Sequence, residues 1–228
     1  IMSGEVPVDQ IGRMVPDLDI PKAMRQAHPA MLHEAAGDNA VELARRMLAL
    51  GLDVNAMTSR TPLHEAALHG HIEMAKLLIE YGADTTIRDP HYFAPPIGWA
   101  EYNGKIDMVD FLRTQPLDIF AAAAFGAIDQ LAALLNADPT LANIRFSDFR
   151  GVGDASPDRD WMTPLGFAIG NRRTEAVRLL LARGADRSVR DASGRSYRDL
   201  AEETGDEELA VLVGSPIASV AARPLSDA

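Results

Sequence analysis

The motif Thr-Pro-Leu-His at residues 61–64 constrains this chain more than any other feature, because the stretch it opens returns along the sequence. That stretch, "TPLHEAALHGHIEMAKLLIEYGAD" (61–84), reads as two short helices joined by a turn. Thr61 can cap a helix, and Pro62 fits the first turn, where its missing N–H has no helical partner to lose. Ala66 and Ala67 are small enough for neighbouring helices to approach closely. Gly70 ends the first helix, and His71 begins the turn into the second. Met74, Leu77 and Leu78 recur at helical spacing and make a buried face. Gly82 closes the pair with a backbone that costs little in the left-handed region.

Degraded copies follow the same plan. They lie at 32–55 ("LHEAAGDNAVELARRMLALGLDVN"), 96–112 ("PIGWAEYNGKIDMVDFL"), 118–135 ("DIFAAAAFGAIDQLAALL"), 163–186 ("TPLGFAIGNRRTEAVRLLLARGAD") and 194–213 ("GRSYRDLAEETGDEELAVLV"). Such self-similarity is the mark of a repeat array, in which each unit buries its apolar face against its neighbours.

His64, Glu65, His69 and His71 crowd into eight positions, which raises the question of a metal or acid–base site. Two helical histidines that share a metal stand four residues apart. His64 and His69 are five apart, roughly 140° around the helix. In the first copy His33 and Glu34 recur without a second histidine. The repeat therefore accounts for His33, His64 and His71, and leaves His69, His28 and His91 outside the pattern.

With these residues in view, the sequence resembles an ankyrin-repeat protein over about residues 28–213. The resemblance implies an all-α solenoid of about six helix-turn-helix repeats with short β-hairpin loops. It implies that the histidine of each Thr-Pro-Leu-His bonds between repeats, and that hairpin tips and the inner-helix surface contact a partner protein. It also implies that catalysis is absent.

Placing the histidine slot at His33, His64, Gly98, Phe120, Gly166 and Asp199 gives intervals of 31, 34, 22, 46 and 33. The short interval means that Gln115-Pro116-Leu117 replaces a hairpin. The long one is an insertion within 144–161, "IRFSDFRGVGDASPDRDW". The insertion holds Phe146, Phe149 and Trp161 among Arg145, Arg150, Arg159 and Asp160. Aromatic and Arg residues are the usual anchors of interfaces. Two readings stand: a partner-contacting loop, and an excursion whose aromatics tuck against the solenoid. The stretch "RDPHYFAPPIGWAEYNG" (88–104) crowds His91, Tyr92, Phe93, Trp99 and Tyr102 at a hairpin tip and inner helix. Packing is expected for Trp99, and exposure for His91, Tyr92 and Tyr102. The expected partner-binding set is thus His69, His91, Tyr92, Phe93, Tyr102, Asn103, Phe149, Arg159, Asp160 and Trp161. Residues 1–27 lack the repeat and read as an N-terminal extension or cap, and 214–228 as a flexible tail.

Other functions find little support. A net charge of −11 opposes nucleic acid and anionic membrane, whose affinity comes largely from Lys and Arg. With no cysteine, thiolate chemistry and Cys-ligated zinc are excluded. No phosphate loop, dinucleotide fingerprint or Gly-x-Ser-x-Gly elbow occurs. Asp154, Asp158 and Asp160 lack the glycine and terminal Glu of a calcium loop. The N-terminus has no basic start followed by an apolar run. The longest uncharged apolar run, Ile119–Ile128, falls well short of the roughly 20 residues a membrane helix needs. The expectation is a soluble, cytoplasmic monomer without catalytic, cofactor or metal site, binding another protein, with bacterial-looking stretches such as "NADPTLANIRF". Two alternatives stand: an enzyme or ligand-binding protein with His69, His91, Tyr102, Asp160 and Trp161 in the concave groove near the insertion, and a self-assembly element whose aromatic patch forms a homodimer.

Overall fold

The structure, a computed structural model, describes residues 30–150 and 159–214. The expected extension 1–27, the tail past Gly214 and the middle of the insertion, with Asp154 and Asp158, lie outside the described residues. Among these residues there are thirteen α-helices, a 3-10 helix and no strand. The expected β-hairpins are turns, carrying a single isolated bridge, Arg190 to Ser196.

The chain forms two compact units. Of the described residues the first holds 30–90 and 94–109, and the second holds 91–93, 110–150 and 159–214. The first contains α1 (Met31–Gly37), α2 (Val41–Ala49), α3 (Pro62–His69), α4 (Ile72–Glu80) and α5 (Pro96–Tyr102); the division falls within α6 (Ile106–Arg113). The inner helices α1, α3 and α5 pack side by side, and α2 packs on α4. The second contains α7 (Ile119–Phe125), α8 (Ile128–Ala137), the 3-10 helix Pro139–Asn143, α9 (Phe146–Arg150), α10 (Pro164–Gly170), α11 (Thr174–Ala182), α12 (Tyr197–Thr204) and α13 (Glu207–Gly214). Here α10 packs between α7 and α12, while α11 packs on α8 and on α13.

Alanines at the inner-helix contacts are fully buried: Ala36, Ala66, Ala67, Ala100, Ala122, Ala168 and Ala201. Met74, Leu77 and Leu78 form the buried face of α4, as Val177 and Leu180 do on α11. Gly70 takes φ +79 at the end of α3 and Gly82 takes φ +89 after α4, as their positions require.

The buried N-termini of the inner helices decide how repeats join. At α3 the Nδ1 of fully buried His64 accepts from the Thr61 N–H (3.2 Å) and hydroxyl (2.7 Å). Its Nε2–H donates to the Ala94 carbonyl of the next repeat at 3.1 Å. At α1 the Nε2–H of His33 reaches the Ala56 and Arg60 carbonyls, both at 2.9 Å. Its Nδ1 is buried without a partner among the described residues, because Ala30 brings no hydroxyl where Thr61 stands. At α10, Gly166 replaces the histidine, and the Tyr197 hydroxyl arrives from the following repeat. It accepts from the Thr163 N–H (2.7 Å) and lies 3.0 Å from the Thr163 hydroxyl. A Cβ on Gly166 would sit 2.8 Å from Tyr197 Cε1, so glycine makes room for the ring. At α12 the Asp199 carboxylate accepts from the Ser196 N–H (2.7 Å) and hydroxyl (2.6 Å).

The fourth repeat corrects the sequence alignment by one residue. Asp118 caps α7 by accepting from the Ala121 N–H at 2.8 Å, so Ala121, not Phe120, holds the histidine slot. Phe120 falls in the buried position of Leu63 and Leu165. The shortened connection before α7 is tied by Gln130, which donates to the Arg113 (2.8 Å) and Gln115 (3.0 Å) carbonyls and accepts from the Leu117 N–H (3.0 Å).

Burial lowers the His64 pKa from 6.5 to about 4. Above pH 6.5 the imidazole is neutral in both folded and unfolded chains, and its contribution to stability is fully present. As pH falls the unfolded chain takes up the proton first, so that contribution drains away between pH 6.5 and 4. Urea melts at pH 7.5 and 4.5 are expected to show a loss on the order of 3 kcal/mol attributable to this group; an equal loss in His64→Gln would assign the acid sensitivity elsewhere. Tyr197→Phe leaves the buried Thr163 N–H unpaired and is expected to cost about 1–3 kcal/mol. Gly166→Ala overpacks the same contact at a similar cost of about 1–3 kcal/mol. Chemical denaturation checks both, and unchanged midpoints would refute the tyrosine's capping role.

Candidate functional site

The expected contact residues divide between the two units. Within the second unit the insertion's ends are zipped together. The Phe146 N–H donates to the Met162 carbonyl (2.8 Å), and the Ser147 N–H to the Asp160 carbonyl (3.2 Å). This pairing drives Phe146 into the core, where it is fully buried. Its ring lies 5.0 Å from Phe120 and 4.9 Å from Phe167, with centroids at the spacing edge-to-face aromatic packing favours. Phe149 joins the cluster 5.0 Å from Phe120 and keeps 37% of its surface exposed.

Residues 91–93 pack in this same unit. Phe93 is half-buried, its ring edge-on to Phe146 at 6.4 Å. Its φ is +52°, a left-handed backbone that is unfavourable for a bulky side chain. The Arg159 guanidinium holds the strained segment by donating to the Tyr92 carbonyl at 2.9 Å. Its neighbours His91 and Tyr92 point out, Tyr92 with 63% of its surface in solvent. The exposed rings of Tyr92 and Phe149 thus belong to a unit whose aromatic core is closely packed. Trp161 is placed otherwise. Its ring is stacked on Tyr197 at 5.0 Å and is buried, so it supports the Tyr197 cap instead of facing a partner. Asp160 is half-buried, and its carbonyl serves the zipper.

Within the first unit His69, Tyr102 and Asn103 lie on the turns that end the inner helices. His69 is exposed and stacked on His71 at 5.6 Å. His71 donates from Nε2 to the Gly37 carbonyl (2.9 Å), and Asn103 from Nδ2 to the Leu68 carbonyl (2.8 Å). These two bonds set the three turns side by side and give Asn103 a structural duty. Trp99 is half-buried; its N–H donates to Asp89 at 3.0 Å, and the Arg60 guanidinium lies 4.6 Å from the centre of its ring. Tyr102 stands edge-on to Trp99 at 6.2 Å and is 83% exposed.

Sequence reasoning named Phe93 and Phe149 but missed Phe120 and Phe167 beneath them. Both occupy apolar helix positions that read as ordinary core. It also missed Ile106, 72% exposed at the start of α6, where the signal was an apolar residue directly after Asn103-Gly104-Lys105.

Of the five residues of the enzyme alternative, His69 and Tyr102 belong to the first unit and His91, Asp160 and Trp161 to the second. Among the described residues no group of three or more His, Asp or Glu side chains could hold a metal ion. No helix among them is long and apolar enough to cross a membrane.

Stacked helix pairs with capped inner helices define a helical repeat protein. A family model described as ankyrin repeats in many copies matches residues 32–79, and a second ankyrin-repeat model matches residues 154–201. The chain is an ankyrin-repeat protein. Such repeats are generally protein–protein interaction modules. No match was found among curated proteins.

Arg159→Ala removes a charge-assisted bond from the strained 91–93 segment. Local opening there is expected to become easier by about 1 kcal/mol, speeding amide exchange near Phe93 roughly fivefold. Exchange at Leu78 is the internal reference and is expected to stay unchanged. Equal rates near Phe93 in the variant and the wild type would show that Arg159 does not hold the segment.

Proposed function

We propose that this protein is a non-catalytic binding module whose second unit engages a partner protein through His91, Tyr92, Phe93, Phe149 and Arg159. The observation that carries the reading is the mounting of Tyr92 and Phe149. Both rings meet solvent, and the segments that bear them are fixed by the Arg159 bond and by packing against buried phenylalanines. Aromatic anchors held in place before binding lose little conformational freedom when a partner arrives. The strained backbone of Phe93 fits the same reading, since such strain concentrates at binding and switch segments.

Capture from a lysate of the source organism tests it. The baits are the wild type and a Tyr92→Ala, Phe149→Ala variant whose thermal melt confirms that it folds. A protein retained by the wild type is expected to bind the variant at least about thirtyfold more weakly, as for loss of an interface anchor. Equal retention would remove these rings from the interface.

A further inference from the structure

The buried imidazoles are confined to the first unit. His64 is fully buried and His33 nearly so, while the second unit has a single histidine, His91, which is exposed. The two units therefore close their inner-helix starts with different chemistry. In the first, the Thr61 N–H donates to His64 Nδ1, so the ring proton sits on Nε2 and is given to the Ala94 carbonyl. One neutral tautomer makes both bonds. A second proton would occupy Nδ1 and take that acceptor from the Thr61 N–H and hydroxyl. His33 differs, since it bonds through Nε2 alone and keeps that donor when it gains a proton. In the second unit the same work falls to the carboxylates of Asp118 and Asp199 and to the Tyr197 hydroxyl. A carboxylate stays ionised and a phenol stays neutral across the range in which an imidazole titrates.

The pH windows separate accordingly. Burial holds His64 down from 6.5 to about 4, so its contribution to the fold is lost as pH falls from 6.5 towards 4. Asp89, from the turn before α5, and Glu65 favour the proton, and Arg60 opposes it. The other charged groups of α1, α3, α4 and α5, which pack together here, are exposed: Glu34, His69, Glu73, Lys76, Glu80 and Glu101. In the second unit, bonds from the hydroxyls of Thr140, Ser188, Ser193 and Ser196 hold Asp138, Asp186, Asp191 and Asp199 below the usual carboxylate range. Their contributions are present above the unfolded carboxylate value and are lost only below about pH 4.

We propose that the chain carries an acid switch confined to its first unit: near pH 5 the His64 bonds that join α3 to the Ala94 turn give way, while the second unit keeps its fold. Release of that turn reaches Trp99 through Asp89, whose carboxylate accepts from the Ala94 N–H and from the indole N–H, both at 3.0 Å. A partner held by the first unit would be shed in mild acid, and one held by the second retained. The inference does not depend on which residues a partner contacts. Each unit holds one of the chain's two tryptophans, Trp99 beside the switch and Trp161 stacked on Tyr197.

The test is urea unfolding of the full chain at pH 7.5 and pH 5. Fluorescence reads the first unit through Trp99 in a Trp161→Phe variant, and the second through Trp161 in a Trp99→Phe variant. Amide exchange of the wild type in α5 and α10, corrected for the intrinsic effect of pH, makes the same comparison without substitution. At fixed urea the opening equilibrium of the first unit is expected to rise about thirtyfold on passing to pH 5, as a shift from 6.5 to about 4 requires. That of the second unit is expected to rise by less than about threefold. His64→Gln is expected to bring the first unit down to the second unit's response, and His33→Gln to leave the thirtyfold change in place. Equal responses of the two units in the wild type would overturn the proposal. So would a thirtyfold change that survives His64→Gln, or one abolished by His33→Gln. Should His64→Gln not fold, the wild-type comparison between the two units still decides.

Discussion

Each inner helix begins in the interior, and the backbone donors of its first turn must find acceptors there. An unpaired buried N–H costs as much as a lost hydrogen bond. The array answers this requirement differently at each step. Histidine serves α3 and reaches forward to the next repeat. Aspartate serves α7 and α12 within their own repeats. A tyrosine hydroxyl from the following repeat serves the start of α10. Where the answer lies in another repeat, helix capping and the packing of neighbouring repeats become one interaction.

The departures from the motif are also where the exposed surfaces arise. Gly98 replaces histidine in the third repeat, and Asp89 takes over the buried polar work by accepting from the Ala94 N–H (3.0 Å) and from the indole of Trp99. That leaves Trp99 half-buried, able to carry Arg60 on its face and Tyr102 at its edge. In the second unit the insertion after α8 brings Phe146 into a core already holding Phe120 and Phe167, and Phe149 emerges at its rim. The repeat core thus supplies rigidity, and its irregular segments supply the side chains that meet solvent.

Much of the architecture was legible because it is local. Thr61, Pro62 and Gly70 mark the limits of α3 through their own backbone preferences, and Met74, Leu77 and Leu78 mark a buried face by spacing alone. The slip at Phe120 has a local cause as well: the reading followed apolar pattern, while the helix start follows the cap at Asp118. The contact residues were less legible. His91, Tyr92 and Tyr102 stand exposed, as their place at a tip and a helix end suggested. Trp161 and Asn103 were named as contact residues, yet Trp161 sits in packing and Asn103 spends its amide on a backbone carbonyl.

The sequence by itself determined the family of the chain, its helix pairs and their buried faces, since all of these depend on residues within one or two helical turns of each other. The tertiary structure decided which aromatic rings are core and which are surface. Arg159 meets the Tyr92 carbonyl across 67 residues, and Tyr197 meets Thr163 across 34. No periodicity encodes such pairs. They depend on how far each repeat is shortened or extended and on the space left by glycine at Gly166, quantities that become definite only when the helices are packed.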